Sequence, residues 1–473
     1  MTKLNVLVRL GCAVLLSVSL PSLVSGATVP VGIPAPLFGL DQTAGTATHH
    51  VNNALTAATD TDNPNGTATR PRRTIPATLP DGAVVRVSGG PYALGNITWT
   101  SRGTRTRPAI IVGVDRPLFQ GDGASSWIRM SGSYLIVDGI VVDGGRVEAA
   151  GTAMILRNSE VRNMNSTALA ISGSGAVLYR NHIHHNGDSE NPVERDTHGV
   201  NVMPGTYATY VLENDIHHNG GDGIQVGSQS AVEPWARYVF IGGNRIYEDR
   251  ENGIDIKKSR DVVVSQNTIS GYTYTSSSAG EAIVTHDTPQ RIWILNNSVL
   301  FSEQGIVSSG ANGYVVAGNV IAGIRHRAGT SYDPRNVWGA AGILTYSTSD
   351  SVHVNNTIWG SDAGISFANG TSTIIANNVV GARTEATGDI LFGSNTAYQN
   401  SVVINNYSGN PGFVDPNNGN FRLLSNSTVI AKGAPHSVSQ SFQALYGVAL
   451  NRDLYGALRI YETNPSIGSA EKR

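Results

Sequence analysis

Val239-Phe240-Ile241-Gly242-Gly243-Asn244-Arg245-Ile246 is followed by Gly253-Ile254-Asp255-Ile256, and this pair of phrases recurs along the chain. The longer phrase places an asparagine between branched apolar residues. It returns as Tyr210 to Ile216, Val262 to Ile269, Ile292 to Val299, Tyr314 to Ile321, Val352 to Ile358 and Ile374 to Val380. The shorter phrase returns as Gly199-Val200-Asn201-Val202, Gly223-Ile224-Gln225-Val226, Ala282-Ile283-Val284-Thr285 and Gly305-Ile306-Val307-Ser308. Where nothing is inserted, as from Asn244 to Asn267 and from Asn297 to Asn319, the steps between asparagines are 23 and 22 residues. That period falls among repeat architectures, yet it is too short for a propeller blade and shows no helical spacing. Three short strands joined by tight turns fit it. The expected fold is all-β, a single-stranded right-handed parallel β-helix.

Such coils stack at roughly 4.8 Å, so about a dozen of them make a rod roughly 60 Å long. The recurring asparagines are expected to stack at a corner, their amides bonding along the axis while tolerating the turn conformation. The tail Asn410-Pro411-Gly412-Phe413-Val414-Asp415-Pro416 breaks the period. It is expected to cap the last coil, whose open edge would otherwise invite aggregation.

A formal charge of -2 and 14% charged residues leave no concentrated basic face, so neither nucleic acid nor an anionic membrane surface is an expected partner. Lys3 and Arg9 flank the start of the apolar run Leu10 to Leu20, and Val24-Ser25-Gly26 supplies small residues before Ala27. This is the layout of a cleaved secretory signal over residues 1–26, and the run is too short for a comfortable membrane span. No other stretch could span a bilayer, so a secreted protein, periplasmic or extracellular, is expected. The single cysteine, Cys12, would leave with the signal, so no disulfide is expected. Residues 27–76 read as an irregular Ala/Thr/Pro-rich segment, 77–430 as the β-helix and 431–473 as a C-terminal cap or tail. A monomer is expected.

The repeat also sorts side chains. Ile224 and Val226 must face the core, so alternation turns the residue between them outward. Coil by coil, this stacks Asn201, Gln225, Asp255 and Val284 in one outward column and Met203, Gly227, Lys257 and His286 in the next. Asp222, Asn252 and Glu281 occupy the turn before each strand. Inserted segments at 187–197, 228–236, 273–279 and 323–340 lie near these strands, where they would wall a groove suited to a linear polymer.

These residues resemble a family. Glu251 through Lys258-Ser259 to Thr285-His286-Asp287, with Gly89-Gly90-Pro91-Tyr92 and Ser131-Gly132-Ser133-Tyr134-Leu135-Ile136-Val137-Asp138-Gly139, is similar to the chondroitinase B and alginate lyase family of polysaccharide lyases, which share a pectate-lyase-like solenoid. In that family a glutamate seven positions before a Lys-Ser pair helps bind calcium, the lysine is the base, and an Arg-His-Gly on the next coil supplies an essential arginine. The resemblance thus assigns calcium binding to Glu251, the base to Lys258 and the histidine to His286. Thr285 stands where the family has arginine, Asp287 where it has glycine, and Gly253 where it has a second glutamate.

The chemistry suits these residue types. Cleaving a uronate polymer by β-elimination requires neutralising the sugar carboxylate, removing the C5 proton and helping the 4-oxygen depart. A bound calcium ion or an arginine can do the first; Asp222, Glu251, Asp255 and Glu281 are the candidate ligands, and Arg250, Arg260 and Arg291 could replace the missing arginine. A lysine can do the second if its pKa is lowered. Alternation favours Lys257 and the family register Lys258, and His286 is a third catalytic candidate. Asn201 and Gln225 are candidates for holding sugar. The runs His184-His185-Asn186-Gly187 and His217-His218-Asn219-Gly220 read as a repeated turn with stacked rings, or else as metal or sugar contacts, with His217 and His218 the candidates for holding sugar.

The leading expectation is therefore a secreted lyase acting on an acidic polysaccharide. A mannuronan-type C5-epimerase would begin with the same proton abstraction. A glycoside hydrolase could use Asp222 and Asp255 as its carboxylate pair. A non-catalytic carbohydrate-binding or adhesive β-helix would use the same face without turnover.

Overall fold

The computed structural model describes residues 29–189, 195–326, 340–368, 370–383, 390–392 and 401–472. The expected secretory signal lies outside these residues, as do parts of the insertions at 187–197 and 323–340. Each coil contributes three short strands, and each strand pairs in parallel with its equivalents on neighbouring coils. The front sheet includes Val200–Val202, Ile224–Val226, Ile254–Ile256, Glu281–Thr285 and Gln304–Ser309. The back sheet includes Tyr207–Leu212, Ala236–Gly242, Ser259–Ser265 and Gln290–Leu295. The side sheet runs through His182–His184, Asp215–His217, Arg245–Tyr247 and Thr268–Ser270. Trp127–Asp138 is long enough to pair with both front and back strands, which joins those two sheets.

Branched residues from all three sheets fill the interior. Ile224, Ile254, Ile283 and Ile306 align from coil to coil in the front sheet, and Ile216, Ile246 and Ile269 do so in the side sheet. All belong to one continuous buried cluster. β-branched chains suit this setting because their restricted side-chain rotamers already match the pleated surface they pack on.

The back sheet is apolar on its outer side as well. Phe240, Val263, Trp293 and Leu295 point outward there and form a second buried cluster with Ile33, Phe38, Phe442, Leu450 and Tyr461. The segment after residue 29 and the helix Val438–Tyr446 thus cover the back, with Phe442 edge-on to Trp293 at 5.0 Å. The C-terminal segment was expected to cap the last coil. It instead lies along the flank, where Asn296, Asn355 and Asn377 donate to the carbonyls of Arg452, Ser466 and Ala434. Apolar outward residues on the back sheet explain the route, since they must be buried along several coils. The N-terminal segment also differs from expectation. His49–Asn52 pairs in parallel with Val84–Ser88, so the solenoid begins inside the stretch read as irregular.

The asparagine ladder forms. Asn181, Asn214, Asn244, Asn267, Asn297, Asn319, Asn356, Asn378 and Asn406 are linked by amide hydrogen bonds of 2.8–3.0 Å, each Nδ2 donating to the next Oδ1. Each Oδ1 also accepts from the preceding rung's backbone N–H, as Asn267 does from Asn244 at 2.9 Å. The left-handed turn conformation expected of these asparagines belongs instead to the residue before each, such as Gln266 at φ 58° and Gln266's equivalents Glu213 and Asn296. The ladder asparagine keeps ordinary backbone angles so that its amide can point inward. Asn267→Ala would leave the Asn244 donors without acceptors in a dry corner and should cost about 2–4 kcal/mol, measurable by chemical denaturation. A loss below about 0.5 kcal/mol, the range of ordinary surface changes, would contradict the ladder's role.

A second, shorter ladder runs from Asn186 to Asn219 to Asp249, with bonds of 2.9 and 2.7 Å, and Tyr272 Oη donates to the other Asp249 oxygen at 2.9 Å. Burial pushes the Asp249 carboxyl up to about 7 from an ordinary 3.8, despite hydrogen bonds from Asn219 and Tyr272. A folded pKa above the unfolded one means that the stabilisation is complete below the unfolded value and is lost as pH rises through the folded value. Asp249→Asn keeps the shape without the titration. Its melting temperature should exceed the parent's by more near pH 8 than near pH 5, as followed by circular dichroism. An equal effect at both would contradict the assignment.

Candidate active site on the front sheet

The front-sheet register brings together residues far apart in sequence. Asn201, Gln225, Asp255 and Val284 are direct partners on successive strands. The second column follows, since Gly227, Lys257 and His286 each donate a backbone N–H to the coil before at 2.9–3.0 Å. Gly227 takes φ +76°, and a Cβ there would lie 2.5 Å from the Lys258 carbonyl oxygen, so no side chain fits above Lys257. The Lys257 ammonium instead reaches across to Gln225 Oε1 at 2.7 Å and Asp255 Oδ2 at 3.3 Å.

Asp255 is the centre of the patch. It is 3% exposed, and its other oxygen, Oδ1, lies 2.8 Å from His286 Nε2. His286 Nδ1 lies 3.0 Å from Asp287 Oδ2, so the ring is held between two carboxylates. The outer edges stay accessible, with side-chain exposures of 19% for Lys257 and 35% for His286. Burial works against charge on both, but acidic neighbours outweigh it. Asp255, then Asp222, raise the Lys257 pKa; Asp255, then Asp287, raise that of His286. The lowered lysine pKa that a basic role would need is thus not met, because the anion beside it is buried and close.

The turn before the front strands holds a second constellation. One ligand atom from each of Asp196, His198, Asp222 and Glu251 lies within 4.8 Å of the others. Asp222 is 0% exposed; its Oδ1 accepts from Asn252 Nδ2 at 2.9 Å. His198 Nδ1 accepts from the Asp222 backbone N–H at 3.1 Å, which leaves the ring proton on Nε2, facing Asp196 Oδ1 at 3.1 Å. Asp222 Oδ2 then faces a lone pair on Nδ1 at 3.3 Å and has no hydrogen-bond partner. Burial, and the charges of Asp255 and Glu251, push the Asp222 pKa well above the usual carboxylate range. Either a proton or a cation must neutralise this corner.

Several expected site residues lie elsewhere. Of the four expected metal ligands, Asp222 and Glu251 belong to the four-residue group. Asp255 is engaged by Lys257 and His286, and Glu281 accepts from Ser278 Oγ at 2.8 Å. Lys258 turns toward the corner before Ser259–Ser265 and has no ion-pair partner among the described residues. Arg250 lies buried near Ser276 and Ser277 and 3.8 Å from Glu251, bracing the 273–279 insertion. Arg291 pairs with Asp261 against the C-terminal helix, and Arg260 pairs with Glu233. His217 and His218 stand on the side sheet or its corner, away from the front columns, because strand Asp215–His217 pairs only with side-sheet strands. Asp222, with no exposure, cannot meet a sugar as half of a carboxylate pair.

The family register also departs from this geometry for physical reasons. A glutamate at position 253 would place its Cβ 2.5 Å from the Ala282 carbonyl and 2.6 Å from Ile269 Cγ2. Thr285 is fully buried and its Oγ1 donates to Ser308 Oγ at 2.9 Å, so an arginine there would point into the core. Sequence reading missed Asp196 and His198. His198 was within reach, since Gly199 pairs with the Asp222 carbonyl and so puts His198 at the head of the Asp222, Asn252, Glu281 column.

Comparison with known proteins agrees with this architecture. A family model described as right handed beta helix region matches residues 124–299. No curated protein matches the chain. Among solved structures, alginate lyase AlyGC of family PL6 has a TM-score of 0.51 at 14% identity, covering 70% of this chain and 51% of that one. Pectate lyase Pel9A is 14% identical over 91% of this chain and 98% of that one, with a TM-score of 0.45. The GH136 lacto-N-biosidase from Eubacterium ramulus is 13% identical over 76% and 67%, with a TM-score of 0.49. This chain spans about half the length of AlyGC. At such identities the likeness is one of fold, and the chain is a right-handed parallel β-helix protein.

Proposed function

We propose that this protein is a secreted polysaccharide lyase that cleaves a uronate-containing glycan by β-elimination at the Asp255, Lys257, His286 patch. The observation that carries this reading is a buried carboxylate holding an ammonium and an imidazole side by side on an accessible sheet face. Lys257, kept charged by Asp255 and Asp222, pairs with the uronate carboxylate and so acidifies the C5 proton. His286 supplies the imidazole of the patch, and its unprotonated form takes that proton at Nδ1, the nitrogen facing the more exposed of its two carboxylates, Asp287. The imidazolium then returns a proton to the departing 4-oxygen, which restores the free base and balances the step. Gln225 orients the ammonium and Asn201 extends the polar column to the next sugar. The insertions at 228–236 and 273–279 wall the groove.

Calcium fits the turn corner on its donor set: three carboxylates, from Asp196, Asp222 and Glu251, meet there, and Asp222 Oδ2 is buried without a partner. When bound, it would add positive charge beside the substrate carboxylate. Calorimetry should show calcium binding that weakens at least about tenfold in Asp222→Asn and Glu251→Gln and is kept in Glu281→Gln. Absence of binding, or equal loss in Glu281→Gln, would contradict this ligand set.

The activity itself is tested by incubating the mature protein with alginate, pectate and glycosaminoglycans and following the ultraviolet absorbance of an unsaturated uronate. His286→Gln and Lys257→Met should each lower kcat/KM by about 100-fold or more, whereas Lys258→Met should leave it near the parent's. Three results would overturn the reading: new reducing ends without absorbance, which indicate hydrolysis; inverted uronates without cleavage, which indicate an epimerase; and binding without product.

A further inference from the structure

The side sheet carries a cluster of imidazoles that the lyase reading leaves unused. Strand His182–His184 lies in parallel register with Asp215–His217, pairing His182 with Asp215 and His184 with His217. Ile183 and Ile216 fill the core, so alternation turns the three histidines outward together. His182 Nε2 lies 2.8 Å from His217 Nε2. The His182 and His184 rings stack at 3.8 Å, and those of His184 and His217 at 5.1 Å. One ring nitrogen from each of the three lies within 4.8 Å of the other two.

The surroundings favour a ligand role. A 2.8 Å contact between ring nitrogens cannot accommodate two protonated imidazoles. With His182 Nε2 and His217 Nε2 this close, at most one of the two facing nitrogens carries a proton, so at least one of the rings presents an unprotonated nitrogen to the cluster. The neutral ring is the form that binds metal. Glu160 Oε1 lies 3.3 Å from His184 Nε2, a carboxylate contact that orients the ring, while His184 Nδ1 lies 2.7 Å from His185 Nδ1. Tyr247 stacks on His217 at 4.6 Å and closes the cluster on the next coil. The nearby charges are already matched: Arg116 and Arg162 pair with Glu160, Arg245 lies 3.8 Å from Asp215, and His218 lies 3.3 Å from Glu248. Nitrogen donors dominate, which selects against calcium and for a borderline transition-metal ion.

We propose that His182, His184 and His217 bind one transition-metal ion of the Zn2+ or Cu2+ type, clamping two successive coils on the side sheet. This site is distinct from the front-sheet patch and stands whether or not the lyase reading does. The test uses untagged, chelator-stripped full-length protein titrated with zinc chloride by calorimetry, with Cu2+ followed by electron paramagnetic resonance. One equivalent of zinc should bind, with affinity falling at least about tenfold in His182→Gln and in His217→Gln and unchanged in Asp222→Asn. The copper spectrum should show coupling to more than one nitrogen, and zinc should raise the melting temperature of the parent but not of His182→Gln. His182 is only half-buried, so its variant keeps the test valid if His217→Gln misfolds. Absence of zinc binding, binding unchanged in His182→Gln, or binding lost only in Asp222→Asn would overturn the proposal.

Discussion

Backbone hydrogen bonding between coils is the constraint on which everything else rests. Each coil's strands have their N–H and C=O groups satisfied only by the coils above and below, so a slip of one residue would turn every branched side chain out of the core and every polar one into it. The buried asparagine ladder adds a second lock at one corner, because each amide bonds both the next amide and the preceding rung's backbone. With register held this way, a side chain's coil and its inward or outward sense follow from its place in the repeat. Groups as separated as Gln225, Asp255 and His286 are then neighbours by construction.

What this frame does with charge is specific to three coils. The outer face of the back sheet is taken up by apolar packing against the segment after residue 29 and the C-terminal segment, whereas the front and side sheets carry polar residues outward. There, Asp255 is a buried anion that would be costly alone. Lys257 from the same coil and His286 from the next compensate it while keeping their outer edges in solvent. A network of this kind is a weak source of stability, since its desolvation cost is close to its Coulombic gain. It holds an ammonium and an imidazole side by side on an accessible face, each with its pKa raised by the neighbouring carboxylates.

The period of the asparagines and the branched pairs was enough to read the coil architecture, and strict alternation was enough to place Asp255, Lys257 and His286 on one surface. Spacing to a family pattern takes no account of the inward direction of Thr285 or the closed space at Gly253. What could not be read lay off the repeat. Asp196 sits in an insertion, where no register applies. The course of the C-terminal segment depends on outward apolar residues such as Phe240 and Trp293, which the repeat alone does not distinguish from core. His217 and His218 read as a stacked turn or as sugar or metal contacts, and which sheet they stand on was not legible, because the direction of the turn before their strand is left open by the sequence.

The contact between Asp255 and His286 tests the account most directly, since it joins two coils, sets the charge of the patch and involves a group with a distinct nuclear magnetic resonance signal. Titrating the His286 ring in the native protein and in Asp255→Asn measures it. The imidazole pKa should lie above the ordinary 6.5 in the parent, because Asp255 stabilises the imidazolium, and fall clearly in the variant. A parent value at or below 6.5, or one that the substitution leaves in place, would contradict it.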